Sequence, residues 1–445
     1  MKQIRIYGAL FGISMAVALA QSPPAAPIAQ APAAASAEAP PTAWETPPVF
    51  HSSTILPAEL QAGPHFRVRE LAPSDGYLIH FTIDSDFGVF QCPGRRQLEQ
   101  RVGEIAAIAK LVEVSKSDLF AEGLKRSIEK PIDAVKNIVK DPEKSLKQAP
   151  KTVGHFFSKV GSSIGNAAKR VGKSIENSKE SGDSSEAVET AGRGLGQAMK
   201  SVAGFDQAKL DTARQLGVDP YSDNPRLQEE MEKVTWAFFA GGLPLRIATT
   251  VASGGASVAL TATKTLGLPE DIYDLTPSEL ALRDREALQA MNVPAPTIDR
   301  IFLNPSLTVS LRHAIVAKLR SFPGGPNRLA VVSIAASCET VNQARFLNET
   351  LAMLLARHNA TPYTALTTAG RLPAGFTKDG FVEVVAPIDY ISWTEQIANF
   401  AHREDLARNP HRLILANGAG ISPIARAGMK SAGWEVLGGK QPAQK

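Results

Sequence analysis

Apolar and polar residues alternate from Ile79 to Ile83, with His80 and Thr82 between them. The stretch Asp84-Ser85-Asp86 then turns the chain, and Phe87 to Cys92 returns, a pattern that predicts a β-hairpin ended by Pro93-Gly94. The period then changes. Leu98, Val102, Ile105, Ile108 and Val112 recur at helical spacing, and Ser115 with Asp118 three residues on predicts the start of the next helix. Further along, Asp223-Asn224-Pro225 opens a helix through Met231 to Phe239, and Thr276-Pro277-Ser278-Glu279 is a capping box for a helix to about Met291. Arg328 to Ala336 reads as a buried strand, and Ala344, Leu347, Leu351 and Leu354 mark a helix. Tyr363 to Phe376 and Phe381 to Val385 read as extended segments around a Lys378-Asp379-Gly380 turn. Thr394 caps a helix, Leu413 to Ala416 is a strand, Ser422-Pro423 opens a helix stopping at Gly433, and Trp434 to Leu437 closes a β-α-β unit.

One segment has a sharper pattern than the rest. Wound at roughly 100° per residue, Val153 to Ile175 gathers Val153, Phe156, Phe157, Val160, Ile164 and Val171 into an arc of about 120°, with Lys151, Lys159, Lys169, Arg170 and Lys173 opposite. Gly154, Gly161, Gly165 and Gly172 form a flanking stripe. Four helix-interior glycines cost roughly 4 kcal/mol relative to alanine, so the helix needs a surface to lie on. Three surfaces fit: the protein's own core, a partner protein of the envelope, or an anionic membrane that takes Phe156 and Phe157 while its headgroups meet the lysines.

Composition narrows the choice of partner. The 445 residues carry 48 Lys plus Arg against 44 Asp plus Glu, a net charge of +4 that does not indicate nucleic-acid binding. From Lys125 to Lys179, thirteen basic residues face five acidic ones, so the basic excess is local to the amphipathic region. Lys2 and Arg5 precede an apolar run from Ala9 to Leu19 and an Ala18-Leu19-Ala20 cleavage pattern, which predicts a secretory leader and a periplasmic or extracellular mature chain. No cysteine follows that run, so a lipoprotein anchor is not expected. Cys92 and Cys338, in an oxidising compartment, are either one disulfide or two buried thiols. Val234 to Leu268 has few charges, yet Pro244 and Arg246 divide it and the uncharged run that follows is short for a spanning helix of about 20 residues. A buried helical pair, closely packed through Ser253, Gly254-Gly255, Ser257 and Thr261, is expected instead.

These readings add up to an α+β or α/β multidomain chain. A leader (1–20) and a Pro/Ala-rich tether (21–48) precede a small β-hairpin-plus-helix unit (49–124), the basic amphipathic arm and linker (125–187), a helical region (188–322), a C-terminal α/β domain (323–438) and a tail (439–445). Gly217-Val218-Asp219-Pro220-Tyr221-Ser222-Asp223-Asn224-Pro225 and Pro387-Ile388-Asp389-Tyr390-Ile391-Ser392-Trp393 resemble stretches of a group of secreted bacterial proteins. That resemblance covers little of the chain and implies no activity and no site residue.

Candidate chemistry is sparse. Asn417-Gly418-Ala419-Gly420-Ile421-Ser422 follows a strand and precedes a helix, where backbone N–H groups hold anions, and Asn417, Gly418, Gly420 and Ser422 are the expected ligand contacts. The stretch lacks the third glycine of a dinucleotide fingerprint and the Gly-Lys-Ser/Thr of a phosphate loop, so no cofactor is implied. Asp219, Asp223 and Asn224 fail the calcium-loop spacing and fit helix capping. His313, His358, His402 and His411 lack metal-ligand spacing, and Cys338 beside Glu339 is the first suspect for a nucleophile. Two functions follow as expectations. The first is a non-catalytic envelope protein that binds a membrane surface or partner through its basic arm. The second is a secreted α/β enzyme or small-ligand receptor with its site at strand carboxyl ends near Asn417, Ser422 and Asp389.

Overall fold

A short pair of extended segments, β1 (Val49–His51) and β4 (Leu71–Pro73), opens the computed structural model, which describes residues 43–129, 204–247 and 267–439 apart from 325, 407 and 417. Between them lie the one-turn helices α1 (Ser52–Ile55) and α2 (Ala58–Gln61) and the strands β2 (Ala62–Gly63) and β3 (Phe66–Val68). With β5 (His80–Ser85) and β6 (Gly88–Pro93) the latter two make an antiparallel sheet in the order β2-β3-β5-β6. The hairpin forms as its alternation dictates: Phe81 and Ile83 are buried while His80 and Thr82 are half-exposed, and the turn closes with Ser85 opposite Gly88.

Helix α3 (Arg95–Val114) buries Leu98, Val102 and Ile105 against this sheet and Ile108 and Leu111 against a helical layer. That layer comprises α4 (Asp118–Glu129), α5 (204–216) and α6 (Pro225–Ala240). The start of α4 differs from expectation: Ser117, not Ser115, accepts from the Phe120 N–H, while Ser115 closes α3. Asn224 caps α6 by accepting from the N–H groups of Arg226 and Leu227, ahead of a first-turn Pro225. Helices α4 and α6 cross at glycines, since a Cβ on Gly123 would sit 2.6 Å from the Ala237 carbonyl oxygen.

The next helices are α7 (Pro277–Ala290), opened by the expected capping box, α8 (Ala295–Leu303), α9 (Val309–Arg320), α10 (Pro326–Ala336) and α11 (Val341–Ala360). Here the reading of Arg328 to Ala336 as a strand is corrected, because the segment is α10. Val331, Val332 and Ala335 are buried while Ala330 and Ser333 are exposed, the one-sided burial of a helix. A short apolar run does not distinguish helix from strand by period, and the β-branched residues favoured the wrong state.

The chain then builds a five-stranded sheet in the order β13-β11-β9-β8-β7, from β7 (Ala365–Ala369), β8 (Leu372–Phe376), β9 (Val382–Ala386), β11 (His411–Leu415) and β13 (Trp434–Leu437). β9, β11 and β13 are parallel, and β7 and β8 form an antiparallel hairpin beside them. The segment Tyr363 to Phe376 is therefore two strands that turn at Gly370, whose φ is 61°. Leu366 and Val385 join the core of α9, α10 and α11 on one face. On the other face, Val384, Ala386, Leu413 and Leu415 pack on α12 (Glu395–Ala401) and α13 (Pro423–Ser431). A small parallel pair, β10 (Tyr390–Ile391) with β12 (Gly420–Ile421), sits beyond the carboxyl ends of β9 and β11. The fold is mixed α+β, with the β11-α13-β13 unit in its C-terminal sheet domain.

Cys92 and Cys338 are both free buried thiols, in different core clusters. Among the described residues no helix is long and apolar enough to cross a membrane. The leader, the tether up to residue 42, the basic arm with Phe156, Phe157, Lys159, Lys169, Arg170 and Lys173, and the small-residue stretch from Ser253 to Thr261 lie outside the described residues, whereas the end of the tether is bonded to the loop, the Glu45 N–H donating to the Trp393 carbonyl.

Candidate functional site

In an open parallel sheet, loops at strand carboxyl ends carry free backbone groups into a crevice, and that is where ligands sit. Here the loops after β9 and β11 meet the amino end of α3 across a cavity of about 510 Å³. The loop from Pro387 to Trp393 is held by the earlier part of the chain: the N–H groups of Asp389 and Tyr390 donate to the Tyr77 carbonyl, and the Ser392 N–H to that of Gly76. Asp389 in turn fixes the start of α3, because its carboxylate accepts from the N–H of Ile79 at 3.0 Å and from that of Arg95 at 3.3 Å. Burial lifts the Asp389 carboxyl to about 6, with those two N–H groups pulling the other way.

Glu349, from α11, lines the opposite wall and is buried. Burial pushes its carboxyl up to about 7; Arg96, 3.8 Å away, and Arg345 oppose that, while Asp389 and Glu99 add to it. Arg95 reaches Glu99 at 3.3 Å on the same wall. Gln97, also on the wall, has its side-chain oxygen buried with no hydrogen-bond partner, a group whose desolvation calls for a donor. The cavity thus offers guanidinium groups and two carboxyls of raised proton affinity, with the unpaired Gln97 oxygen buried in the wall beside them. Phe50, Ile55, Phe81 and Tyr390 supply its apolar surround.

Of the ligand contacts expected from sequence, Gly418 and Gly420 line this cavity. Gly418 has a φ of 90°, which suits a residue without Cβ, and the Gly420 N–H donates to the Asp389 carbonyl at 2.8 Å. Asn417 lies outside the described residues. Ser422 is buried behind the loop, where its hydroxyl accepts from the Ala425 N–H as the cap of α13 and donates to Glu45. Sequence reasoning missed Glu349, Arg95, Arg96 and Gln97. The signal for Glu349 was an ionisable residue between Leu347 and Leu351 on a helix face that is buried beyond its apolar stripe.

Other polar clusters are internal braces. His313 stands between Asp284 at 2.6 Å and Asp271 at 3.0 Å; burial works against its charge, but the two carboxylates outweigh it and raise its pKa. Burial draws Lys318 down to about 8, with its Nζ donating to the Gly267 carbonyl and Asn348. Tyr363 and Arg357 close over the buried carboxylate of Glu383. Burial raises the Cys338 thiol, with Arg371 opposing it, which works against the thiolate a nucleophile needs. Asp219 and Asp223 act as supports, the first accepting from the Tyr221 N–H and from Ser310, the second pairing with arginines. Among the described residues no group of His, Cys, Asp and Glu is placed to hold a metal ion. No family model, curated protein or solved structure matches this chain.

Proposed function

We propose that this protein is a small-ligand-binding protein that takes a zwitterion, an amine joined to an anionic group, in the cavity at the carboxyl ends of β9 and β11. The supporting observation is that Glu349, 3.8 Å from Arg96, and the side chains of Arg95 and Gln97 line one small cavity. An ammonium adds donors and a positive charge beside Glu349, and an anionic group meets the arginines. The size of the cavity falls in the range of ligand pockets, about 300–1,000 Å³.

Titration with glycerophosphoethanolamine, a water-soluble zwitterion of this kind, tests the reading by calorimetry. Glu349 gains charge as pH rises through about 7, so binding is expected to strengthen between pH 6 and pH 8. The Glu349→Gln variant is expected to bind at least tenfold more weakly at pH 8 and to lose that pH dependence. No binding by the wild-type chain, or equal binding by Glu349→Gln, would remove the proposal.

A second reading rests on the basic stretch, where Lys159, Lys169, Arg170 and Lys173 oppose Phe156 and Phe157. Such a segment suits attachment to an anionic membrane surface or to an envelope partner. Co-sedimentation of the full chain with anionic vesicles is expected to weaken with salt and to disappear when both phenylalanines become aspartate. Binding that persists in the double variant, or that is absent in the wild type, overturns this reading.

A further inference from the structure

The zwitterion site shares part of its wall with another cavity. A second cavity, of about 650 Å³, opens beside it along the same edge of the sheet, where β7 ends, β8 begins and β9 ends. Leu78, Pro93, Asn342, Phe346 and Ile388 line both cavities, so the two are adjoining compartments that share these residues. Their chemistry differs sharply. The interior of the second compartment is formed by Ile334, Leu347, Leu372, Ile397, Phe400 and Met429. Its charged residues are Asp75, His80, Arg371 and Arg403, and each already has a partner: His80 meets Asp75 at 2.8 Å, Arg403 meets Asp405 at 2.9 Å and Arg371 meets Glu339 at 3.9 Å.

We infer that the ligand is a single-chain amphiphile, with its zwitterionic head among Arg96, Gln97 and Glu349 and its alkyl chain in the apolar compartment across Phe346. The inference rests on the zwitterion reading and extends it to the substrate class. Ile334, Leu372, Ile397 and Phe400 are only partly buried, so they leave apolar surface in water that an alkyl chain would remove, and each methylene so buried adds to affinity. A soluble zwitterion alone would leave this compartment unfilled. The adjoining charges fix the orientation, because a charged head placed among Ile397, Phe400 and Met429 would lose its hydration with no partner.

The test uses the full chain and lauroyl lysophosphatidylethanolamine kept below its critical micelle concentration, compared with glycerophosphoethanolamine, which has the same head and no chain. The amphiphile is expected to bind at least tenfold more tightly than the head alone. In Ile397→Glu, which puts a carboxylate into the apolar compartment, that gain is expected to vanish while the head still binds as in the wild type. Leu372→Gln, on a different element, is expected to reduce the gain in the same direction and covers the case in which the first variant does not fold. Equal affinity for head and amphiphile, or a gain that both variants retain, overturns the amphiphile and leaves the zwitterion site standing. Failure of the head to bind in a Glu349-dependent way overturns the zwitterion reading itself. Replacing Phe156 and Phe157 by aspartate is expected to change none of these values, and a change there would assign the chain's contact to the basic stretch, against the inference.

Discussion

Asp223→Ala is expected to lower the stability of the protein by about 3–5 kcal/mol, the usual consequence of removing one partner from a buried ionic cluster. Its two carboxylate oxygens are shared, one accepting from Arg101 of α3 at 2.7 Å and the other from Arg345 of α11 at 2.9 Å. Both guanidinium side chains are less than a tenth exposed. Arg101 would keep Glu104, but that carboxylate already receives Gln100, Ser222 and Asn224. Burial works to raise the Asp223 carboxyl, yet Arg345 and Arg101 outweigh it and hold it below the usual range. The sign of its linkage follows. A carboxyl depressed in the folded state contributes stability above its unfolded value, about 4, and loses it as pH falls through the folded value. Denaturant unfolding of wild type and variant should therefore show the full difference at pH 7 and a shrinking one towards pH 3. A difference below about 1 kcal/mol at pH 7 would mean that the cluster relaxes around the deletion, as exposed ion pairs do. Because Arg345 also stands on the wall of the cavity beside Glu349, the same brace keeps α3 and α11 in register there.

How much of this was legible beforehand depends on the range of the signal. The hairpin, α3, the cap at Asn224, the capping box at Thr276 and the β11-α13-β13 unit were readable because each rests on residues within a few positions of one another. Arg328 to Ala336 failed because its burial is set by α9 and α11, elements whose packing is not written in its own period. The glycine turn after β11 and Asp389 were legible as neighbours at the strand carboxyl ends, and Gly418, Gly420 and Asp389 do line one cavity. The rest of the cavity was not readable. Gly94 to Gln97 come from the end of the hairpin, Glu349 from a helix about 250 positions later, and nothing local to either records that they face each other. The crossing of α4 on α6 is similar, since Gly123 and Gly241 look like helix-weakening residues until the neighbouring backbone is seen against them.

Trp393→Ala is expected to cost a further class of large effect, about 3–5 kcal/mol, from the transfer and cavity terms of a deleted indole. Trp393 is among the largest fully buried side chains, at 1% exposure, and its backbone joins the loop to Glu45, whose N–H donates to its carbonyl and whose carboxylate accepts its N–H. The indole lies flat against Gly428 of α13, where a Cβ would stand 2.6 Å from its ring carbons. Gly428→Ala alone is therefore expected to cost about 1–3 kcal/mol by overpacking, although alanine is the better helix former. The two losses should not add. With the indole gone, the alanine methyl enters the space it left, so the double variant is expected to be more stable than the sum of the singles by about 0.5–3 kcal/mol, the range for residues in contact. Chemical unfolding of the four chains measures that coupling, and strict additivity would show that the helix and the loop do not meet through this pair. Trp393→Phe separates packing from polarity. The indole Nε1 is buried without a hydrogen-bond partner, so phenylalanine removes an unsatisfied donor together with apolar area. It should cost clearly less than alanine in the same unfolding measurement.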